Sequence, residues 1–429
     1  MIGIIFVVFL VLLFVGVPLG IGMGVAAAVA LVVDGNYPLT IVAHKMINGV
    51  NSFPLVAVPL FILAGALAGE GSIAPRLVRF ADALFGHIRG GLGHVNVASS
   101  MFFGGISGSA VADTAAIGSL MIPTMEKQGY SRADAGAITV CSSTIGILIP
   151  PSIPMVLYGV AMSTSVGALF LAGLVPGLLV GVFQMGLVWA LARRKGWPQR
   201  AHRAKAPELW TAFREAFLSL LLPVFLLGAI VSGITTATEA GVIGVLYALF
   251  LGGVVYREYD WRDLYRILVD AAVNSAVPCF VVATTSVVAW VVAIVQFPDA
   301  LVTFFQAMDW GPIVVLLMIN VFLLFVGMFM DLVPALLLFA PILYPIAQAA
   351  GIGPVQFGAI MVVNLGIGLV TPPVGNCLYL GVVLARSTLW EMSKAALPFL
   401  LVNVFVLLLV TYVPAISTWA PSLFFDGIK

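Results

Sequence analysis

The sequence predicts an all-α polytopic membrane protein with an inverted structural repeat, two re-entrant hairpins and two broken helices. Its composition is the first indication, because 62% of the 429 residues are hydrophobic and only 9% are charged. Charged residues make up about 25% of an average soluble domain. The second is that apolar stretches long enough to span a bilayer recur along the chain. The third is a pair of proline-interrupted apolar segments, Ser142–Gly159 and Asn364–Gly381, that begin 222 residues apart.

The two segments align without a gap, so that Pro150-Pro151 falls on Pro372-Pro373 and, upstream, Gly105 falls on Gly327. A proline pair lacks two backbone donors and clashes with the preceding helical turn. Backbone groups freed in this way are tolerated at membrane depth only where they are buried in protein or line a cavity. Each segment is therefore predicted to be a discontinuous helix. Paired broken helices are typical of secondary transporters with a site at the repeat interface; the alternative is two unrelated proline kinks.

Residues 1–192 are predicted to form the first repeat. Gly16-Val17-Pro18 divides the first apolar stretch, arginines among apolar residues predict an interfacial helix, and a Gly/Ser-rich centre between short apolar arms predicts a hairpin. The predicted elements are two short helices within 1–33, a span over 53–69, the interfacial helix over 73–88, the hairpin over 93–125, the broken helix over 135–160 and a span over 168–191.

Residues 193–215 are predicted to be a cytoplasmic linker with seven basic residues, and residues 216–429 the second repeat. The second repeat follows the order of the first, which is why its hairpin and broken helix are placed by alignment. Its predicted elements are helices over 217–232 and 235–255, a charged loop over 256–266, a span over 270–297, an interfacial helix over 299–310, the hairpin over 311–346, the broken helix over 355–384 and a helix over 397–418.

The distribution of basic residues predicts the orientation of both repeats. Each repeat crosses the membrane an odd number of times if its hairpin is not counted, so the repeats are inverted relative to each other. With the linker in the cytoplasm, 17 of the 19 Lys and Arg residues lie inside, as the positive-inside rule requires. Only Lys45 and Lys429 lie outside. Both termini are then periplasmic, the first hairpin enters from the cytoplasm and the second enters from the periplasm.

Three carboxylates, Asp113, Glu239 and Asp331, lie in the predicted membrane segments or their caps, together with no Lys or Arg. Ionisable residues at this depth are costly and therefore indicate functional sites. Asp331 lies at the second hairpin tip, where Ser109 aligns in the first, and Asp113 lies one turn beyond that first tip. The alternative for each carboxylate is a helix cap, with Glu239 capping a helix that begins at Thr238.

The hairpin tips and the breaks supply the oxygen ligands that a small hard cation prefers. The candidate cation ligands are Ser107, Ser109, Thr144, Gly146 and Ile149 in the first half, and Gly327, Asp331, Asn364, Gly368 and Thr371 in the second. Helix N-termini after the breaks attract anions. The candidate substrate contacts that flank the breaks are Ser142, Ser143, Pro150, Ser152, Pro372 and Asn376. Because no cationic side chain is predicted there, helix dipoles and bound cations would have to compensate an anionic substrate. This favours sodium coupling over a His or Lys proton relay. The alternative for each Ser or Thr is a bond to its own helix.

Five segments together resemble the large membrane subunit of tripartite ATP-independent periplasmic (TRAP) transporters, over nearly the whole chain. They are GGISGSAVADTAAIGSLMIPTM, SSTIGILIPPSIPMVLYG, TTATEAGVIGVLYAL, GMFMDLVPALLLFAPILYPI and NLGIGLVTPPVGNCLYL. The resemblance implies an elevator-type mechanism in the bacterial inner membrane, driven by at least two Na+ ions. It also implies a small four-helix membrane subunit, a soluble periplasmic binding protein and carboxylate substrates such as C4-dicarboxylates, keto acids and sialic acids.

The same resemblance implies two sodium regions, Ser107–Ser109 with Thr144–Pro150 and Gly327–Asp331 with Asn364–Thr371. Ala110 stands where relatives often have a further Ser. Three other functions remain as alternatives: a stand-alone sodium/carboxylate symporter, a channel and an intramembrane enzyme. An enzyme is the least supported, since the sequence contains neither a Ser/His/Asp arrangement nor an H-E-x-x-H motif. No nucleic-acid partner is indicated, and the four histidines, His44, His87, His94 and His202, are predicted to be surface residues.

Overall fold

The computed structural model describes residues 1–199, 202–308, 310–425 and 427, and every secondary-structure element within these ranges is helical. Predictions that involve Arg200, Asp309 and Lys429 lie outside the described residues. Eight of the described helical segments are long and apolar enough to cross a membrane. The prediction of an all-α polytopic membrane protein is therefore confirmed.

The first ten helices carry the first predicted hairpin and break. They are α1 (Ile2–Phe14), α2 (Leu19–Asp34), α3 (Thr40–Val50), α4 (Ala57–Glu70), α5 (Ile73–Phe85), α6 (Gly91–Ser107), α7 (Ala110–Lys127), α8 (Arg132–Ser143), α9 (Ile153–Ala161) and α10 (Val166–Lys195). A 3₁₀ turn, Phe53–Val56, precedes α4, and another, Thr144–Ile147, continues α8 toward the break. The interruption between α8 and α9 includes Pro150 and Pro151, as the proline pair predicts.

The remaining ten helices carry the second hairpin and break. They are α11 (Ala206–Val231), α12 (Ala237–Leu249), α13 (Trp261–Ile294), α14 (Phe297–Ala307), α15 (Pro312–Phe329), α16 (Leu332–Ala349), α17 (Pro354–Gly368), α18 (Asn376–Ala385), α19 (Leu389–Tyr412) and α20 (Ala415–Ser422). A π-helical turn, Phe250–Val255, follows α12. The second interruption lies between α17 and α18 and contains the second proline pair, and both Pro-Pro peptide bonds are cis.

Several predicted boundaries were wrong because charged residues extend helices rather than end them. Helix α10 continues through three basic residues to Lys195, which suit a helix C-terminus. Helix α11 begins at Ala206, so among the described residues of the predicted linker only 196–199 and 202–205 lie outside helices. Helix α13 begins at Trp261, inside the predicted charged loop, because Asp260 and Asp263 form a capping box. Helix α3 was not predicted, since its polar residues obscured it.

The two broken helices pack around each other at the centre of the protein. Helix α8 packs on both arms of its own hairpin, α6 and α7, and α17 packs in the same way on α15 and α16. Beyond the breaks, each helix packs on the opposite half of the protein. Helix α9 packs on α16, and α18 packs on α7 and α8. This reciprocal arrangement brings both hairpin tips and both breaks into one bundle.

A second group of helices, α1–α4 and α11–α13, packs beside this bundle, and α5 contacts both α6 and α11. Large apolar side chains on the outer surface are widely exposed, as expected for a surface in lipid. His94 corrects a prediction: it lies near the start of α6 and is 4% exposed, because neighbouring Gly93 packs against Val188 and Ile138.

Candidate functional site

Backbone contacts connect the first hairpin tip to the first break. Ser107 ends α6, Gly108 adopts a left-handed conformation with φ +61°, and Ser109 begins α7 by accepting a hydrogen bond from the Ala112 N–H at 3.4 Å. A Cβ on Gly108 would lie 2.6 Å from the Pro151 carbonyl oxygen, so the position requires glycine. The Ile153 N–H donates to the Gly108 carbonyl at 3.3 Å. The tip and the break therefore pack together as one unit.

Asp113 lies against this unit with its carboxylate uncompensated. A Cβ on Gly146 would lie 3.7 Å from both the Asp113 Cβ and the Ser109 carbonyl oxygen, so the three groups converge. Asp113 is 0% exposed, and its carboxylate oxygens make no well-formed hydrogen bond among the described residues, although the Ser100 side chain lies close to them. Ser109, not Asp113, caps α7. A buried carboxylate without a strong partner is costly unless a cation or a proton compensates it, so Asp113 is a candidate to bind either one.

The second region repeats the close approach of hairpin and break. A Cβ on Gly368 would lie 2.7 Å from the Gly327 Cα, and the Val374 N–H donates to the Met328 carbonyl at 3.2 Å. Asp331 precedes α16 and makes no side-chain cap bond, so capping does not account for it. Instead the Asn376 Nδ2 donates to the Asp331 Oδ1 at 2.8 Å. A hairpin carboxylate thus meets the N-terminus of α18.

The first-half hydroxyls form a buried network that also bonds back to its own helix. Ser142 contacts the Ser100 hydroxyl at 3.1 Å, and the Thr114 hydroxyl donates to the Ser143 Oγ at 2.8 Å. Ser152 begins α9, and its hydroxyl donates to the Ile147 carbonyl at 2.5 Å. The carbonyl oxygens of Thr139 and Val140 accept bonds from Ser142 and Ser143. Hydrogen bonds from these hydroxyls to carbonyls of their own helix therefore account for part of this set.

The remaining predicted residues divide into those at the site and those elsewhere. Asn364 is fully buried, and its Nδ2 donates to the Asn320 carbonyl and side chain at 3.0 Å. Thr371 donates to the Ile367 carbonyl at 2.7 Å. Pro150 and Ile149 lie in the first break and Pro372 in the second. Glu239 belongs to a capping box with Thr236, the residue that precedes α12, and is exposed, so capping accounts for it.

Sequence reasoning missed a glycine and two buried amides near the first hairpin and break. Gly104 packs on Gly146, with a Cβ position 2.6 Å from the Gly146 Cα, although the alignment had emphasised Gly105. Gln184 and Asn403 contact the first break from α10 and α19. A search for amides inside apolar spans would have found both, because such side chains bond across helices in membrane proteins.

The two breaks differ in exposure. The first is buried, with Ser107 at 2% and Thr144 at 4% exposed. In the second, Pro373, Val374 and Asn376 are exposed, and an exposed face of α18 continues from Asn376 to Tyr379 and Val383. In this conformation the second break is therefore more open to the protein surface than the first.

Replacing Gly368 with alanine is expected to destabilise the protein by about 1–3 kcal/mol. The new Cβ would meet the Gly327 backbone, which cannot rotate away. Thermal unfolding of the Gly368→Ala variant measures the effect. Gly228→Ala is the control, since a Cβ there has no neighbour within 4 Å. Equal behaviour of the two variants would contradict the prediction.

Comparison with known proteins identifies related transporters. Residues 6–416 match the family described as "Tripartite ATP-independent periplasmic transporter, DctM component". The chain is 40% identical to the sialic acid TRAP transporter large permease protein of Vibrio cholerae serotype O1, over 96% of each chain. It is 38% identical to the C4-dicarboxylate TRAP transporter large permease protein of Rhodobacter capsulatus, over 98% of each chain.

Two solved structures share the fold at low sequence identity. The YdaH transporter of Alcanivorax borkumensis aligns with a TM-score of 0.63 at 14% identity, over 87% of this chain and 88% of that one. MtrF of Neisseria gonorrhoeae aligns with a TM-score of 0.58 at 10% identity, over 87% of this chain and 83% of that one. The helix arrangement is therefore one that other membrane proteins adopt with a different sequence.

Proposed function

The chain belongs to the DctM component family of the tripartite ATP-independent periplasmic (TRAP) transporters, and we propose that it couples the import of a small organic acid to sodium entry. The observation that carries this proposal is the uncompensated carboxylate of Asp113 beside the broken backbone at Gly146. Asp331 occupies the corresponding region of the second half. An enzymatic role is not proposed, because the relatives are transport permeases.

The donor set supports sodium as the coupling ion. Hydroxyl, carbonyl and carboxylate oxygens are ligands for hard cations. The described residues contain no group of three or more His, Cys, Asp or Glu side chains that could hold a metal ion. We propose one sodium region formed by Ser107, Ser109, Asp113, Thr144 and Gly146. The second is formed by Gly327, Asp331, Asn364, Gly368 and Thr371, and each holds its ion only while it is transported.

The substrate is proposed to be a carboxylate that binds between the two sodium regions. The N-termini of α9 and α18 follow the breaks, and helix N-termini attract anions. Bound sodium would compensate the remaining negative charge of the substrate. Two relatives are named for sialic acid and C4-dicarboxylates, which supports an organic acid of this class. The positions of Ser152 and Asn376 at these N-termini make them candidate substrate contacts.

The mechanism and the partners are proposals that rest on the family. We propose inverted repeats, re-entrant hairpins and an elevator movement of the central bundle, in an inner membrane with both termini periplasmic. We also propose a small four-helix membrane subunit and a periplasmic binding protein, which the family description as tripartite and periplasmic supports. The chain spans 65% of an isethionate TRAP permease relative of Oleidesulfovibrio alaskensis, whose additional length leaves room for a fused second subunit.

Uptake into proteoliposomes tests the proposal. The chain, its small subunit and its binding protein are expected to accumulate a carboxylate only under an inward sodium gradient. Equilibration without accumulation would indicate a channel instead. Uptake that persists when the binding protein is omitted would favour the stand-alone symporter, and accumulation without sodium would contradict sodium coupling.

A further inference from the structure

Two buried amides from different halves of the chain meet at the first break. The Gln184 Nε2 donates to the Asn403 Oδ1 at 2.8 Å and to the Cys141 carbonyl at 3.0 Å. Gln184 is 0% and Asn403 is 2% exposed. The Gln184 Oε1 is buried with no partner among the described residues, an arrangement that lowers stability.

The amide pair determines how the Thr144 hydroxyl is oriented. The Thr144 Oγ1 donates to the Cys141 carbonyl at 2.7 Å and accepts from the Asn403 Nδ2 at 3.3 Å. A hydroxyl has one donor and two acceptor positions. Its proton and one lone pair are thus occupied, and a single lone pair remains without a partner in these bonds. Without Asn403, the Thr144 hydroxyl would lose the hydrogen bond that helps to orient its remaining lone pair.

The pair also lies between the two breaks. A cavity of about 10 Å³ beside it is lined by Thr144, Asn403, Gly366 and Ile367. That volume holds at most one water molecule, and the 3₁₀ turn at Thr144 packs against α17, the helix that leads to the second break. The carbonyl of Ile367 accepts the Thr371 hydroxyl bond. A movement of Thr144 would therefore displace packed neighbours that lead to the second sodium region.

We propose that Gln184 and Asn403 are positioning residues that orient Thr144 for sodium and couple the two sodium regions. This inference rests on the proposed sodium-coupled function. It assigns the two amides no contact with the ion, since they act through the Thr144 hydroxyl. Their contribution should therefore appear in sodium affinity and cooperativity and disappear when Thr144 cannot accept a bond.

Removing the Asn403 amide is expected to raise the sodium concentration for half-maximal uptake about fivefold, as loss of one hydrogen bond predicts. The Hill coefficient for sodium is expected to fall in Asn403→Leu. Gln356→Leu is the matched control, because the Gln356 Nε2 is equally buried but donates only to backbone carbonyls of Val410 and Thr411. A similar shift in both variants, or none in Asn403→Leu, would overturn the inference.

A double-mutant cycle with Thr144→Val separates positioning from general destabilisation. If Asn403 acts through Thr144, the double variant should show the sodium affinity of Thr144→Val alone, whereas additive effects would overturn the inference. Sodium-dependent thermal stabilisation of the purified protein supplies the affinity without transport. Gln184→Met replaces Asn403→Leu if the latter does not fold. Wild-type uptake that ignores sodium would instead refute the proposed function.

Discussion

Replacing Asp113 with alanine is expected to abolish sodium-driven uptake. A charge pair about 4 Å apart is worth about 4 kcal/mol at the effective dielectric of about 20 that also suits buried protein sites, so sodium affinity should fall at least about a hundredfold. Because the Asp113 carboxylate makes at most a weak contact with the Ser100 side chain among the described residues, the substitution costs little hydrogen bonding. Thermal stability without sodium should therefore be retained or should rise, while stabilisation by added sodium should be lost.

The control for this prediction is Glu239→Gln. Glu239 is an exposed carboxylate in a capping box, so its neutralisation should leave sodium-dependent uptake unchanged. A structural role for Asp113 would give the opposite pattern, with loss of folded protein and normal sodium response in the remainder. Retained sodium response in Asp113→Ala would remove the first sodium region from the mechanism.

Neutralising Asp331 is expected to lower sodium affinity at least about tenfold. Asp331→Asn keeps the size of the side chain and an acceptor for the Asn376 amide, so the loss of charge is isolated from the loss of packing. The effect should be smaller than at Asp113, because Asp331 keeps some contact with solvent whereas Asp113 is fully buried. Sodium-dependent uptake of proteoliposomes measures the change.

The comparison for this variant is Asn376→Ala, which removes the hydrogen bond and keeps the carboxylate. It should reduce sodium affinity less than Asp331→Asn does if the carboxylate itself binds the ion. Equal losses would show that the hydrogen bond, and not the charge, is what the second region requires. An unchanged sodium response in Asp331→Asn would contradict the second region altogether.

Much of the site could be predicted because proline and glycine act through the backbone. Pro150-Pro151 and Pro372-Pro373 interrupt helices wherever they lie, and both interruptions occur where the sequence places them. The tip at Ser109 could be predicted from its Gly neighbours. Glu239 was a candidate only because sequence reasoning could not separate a cap from a ligand, since both interpretations require a carboxylate near a helix start.

The sequence by itself determined the membrane class and the positions of both breaks and supplied three candidate carboxylates, because hydropathy and backbone chemistry are local properties. Only the tertiary structure decided which of these carboxylates lacks a partner, and that α9 and α18 pack on the opposite hairpins. It also decided that Gln184 and Asn403, 219 residues apart, meet at Thr144. Such contacts depend on how helices cross, which no local pattern specifies.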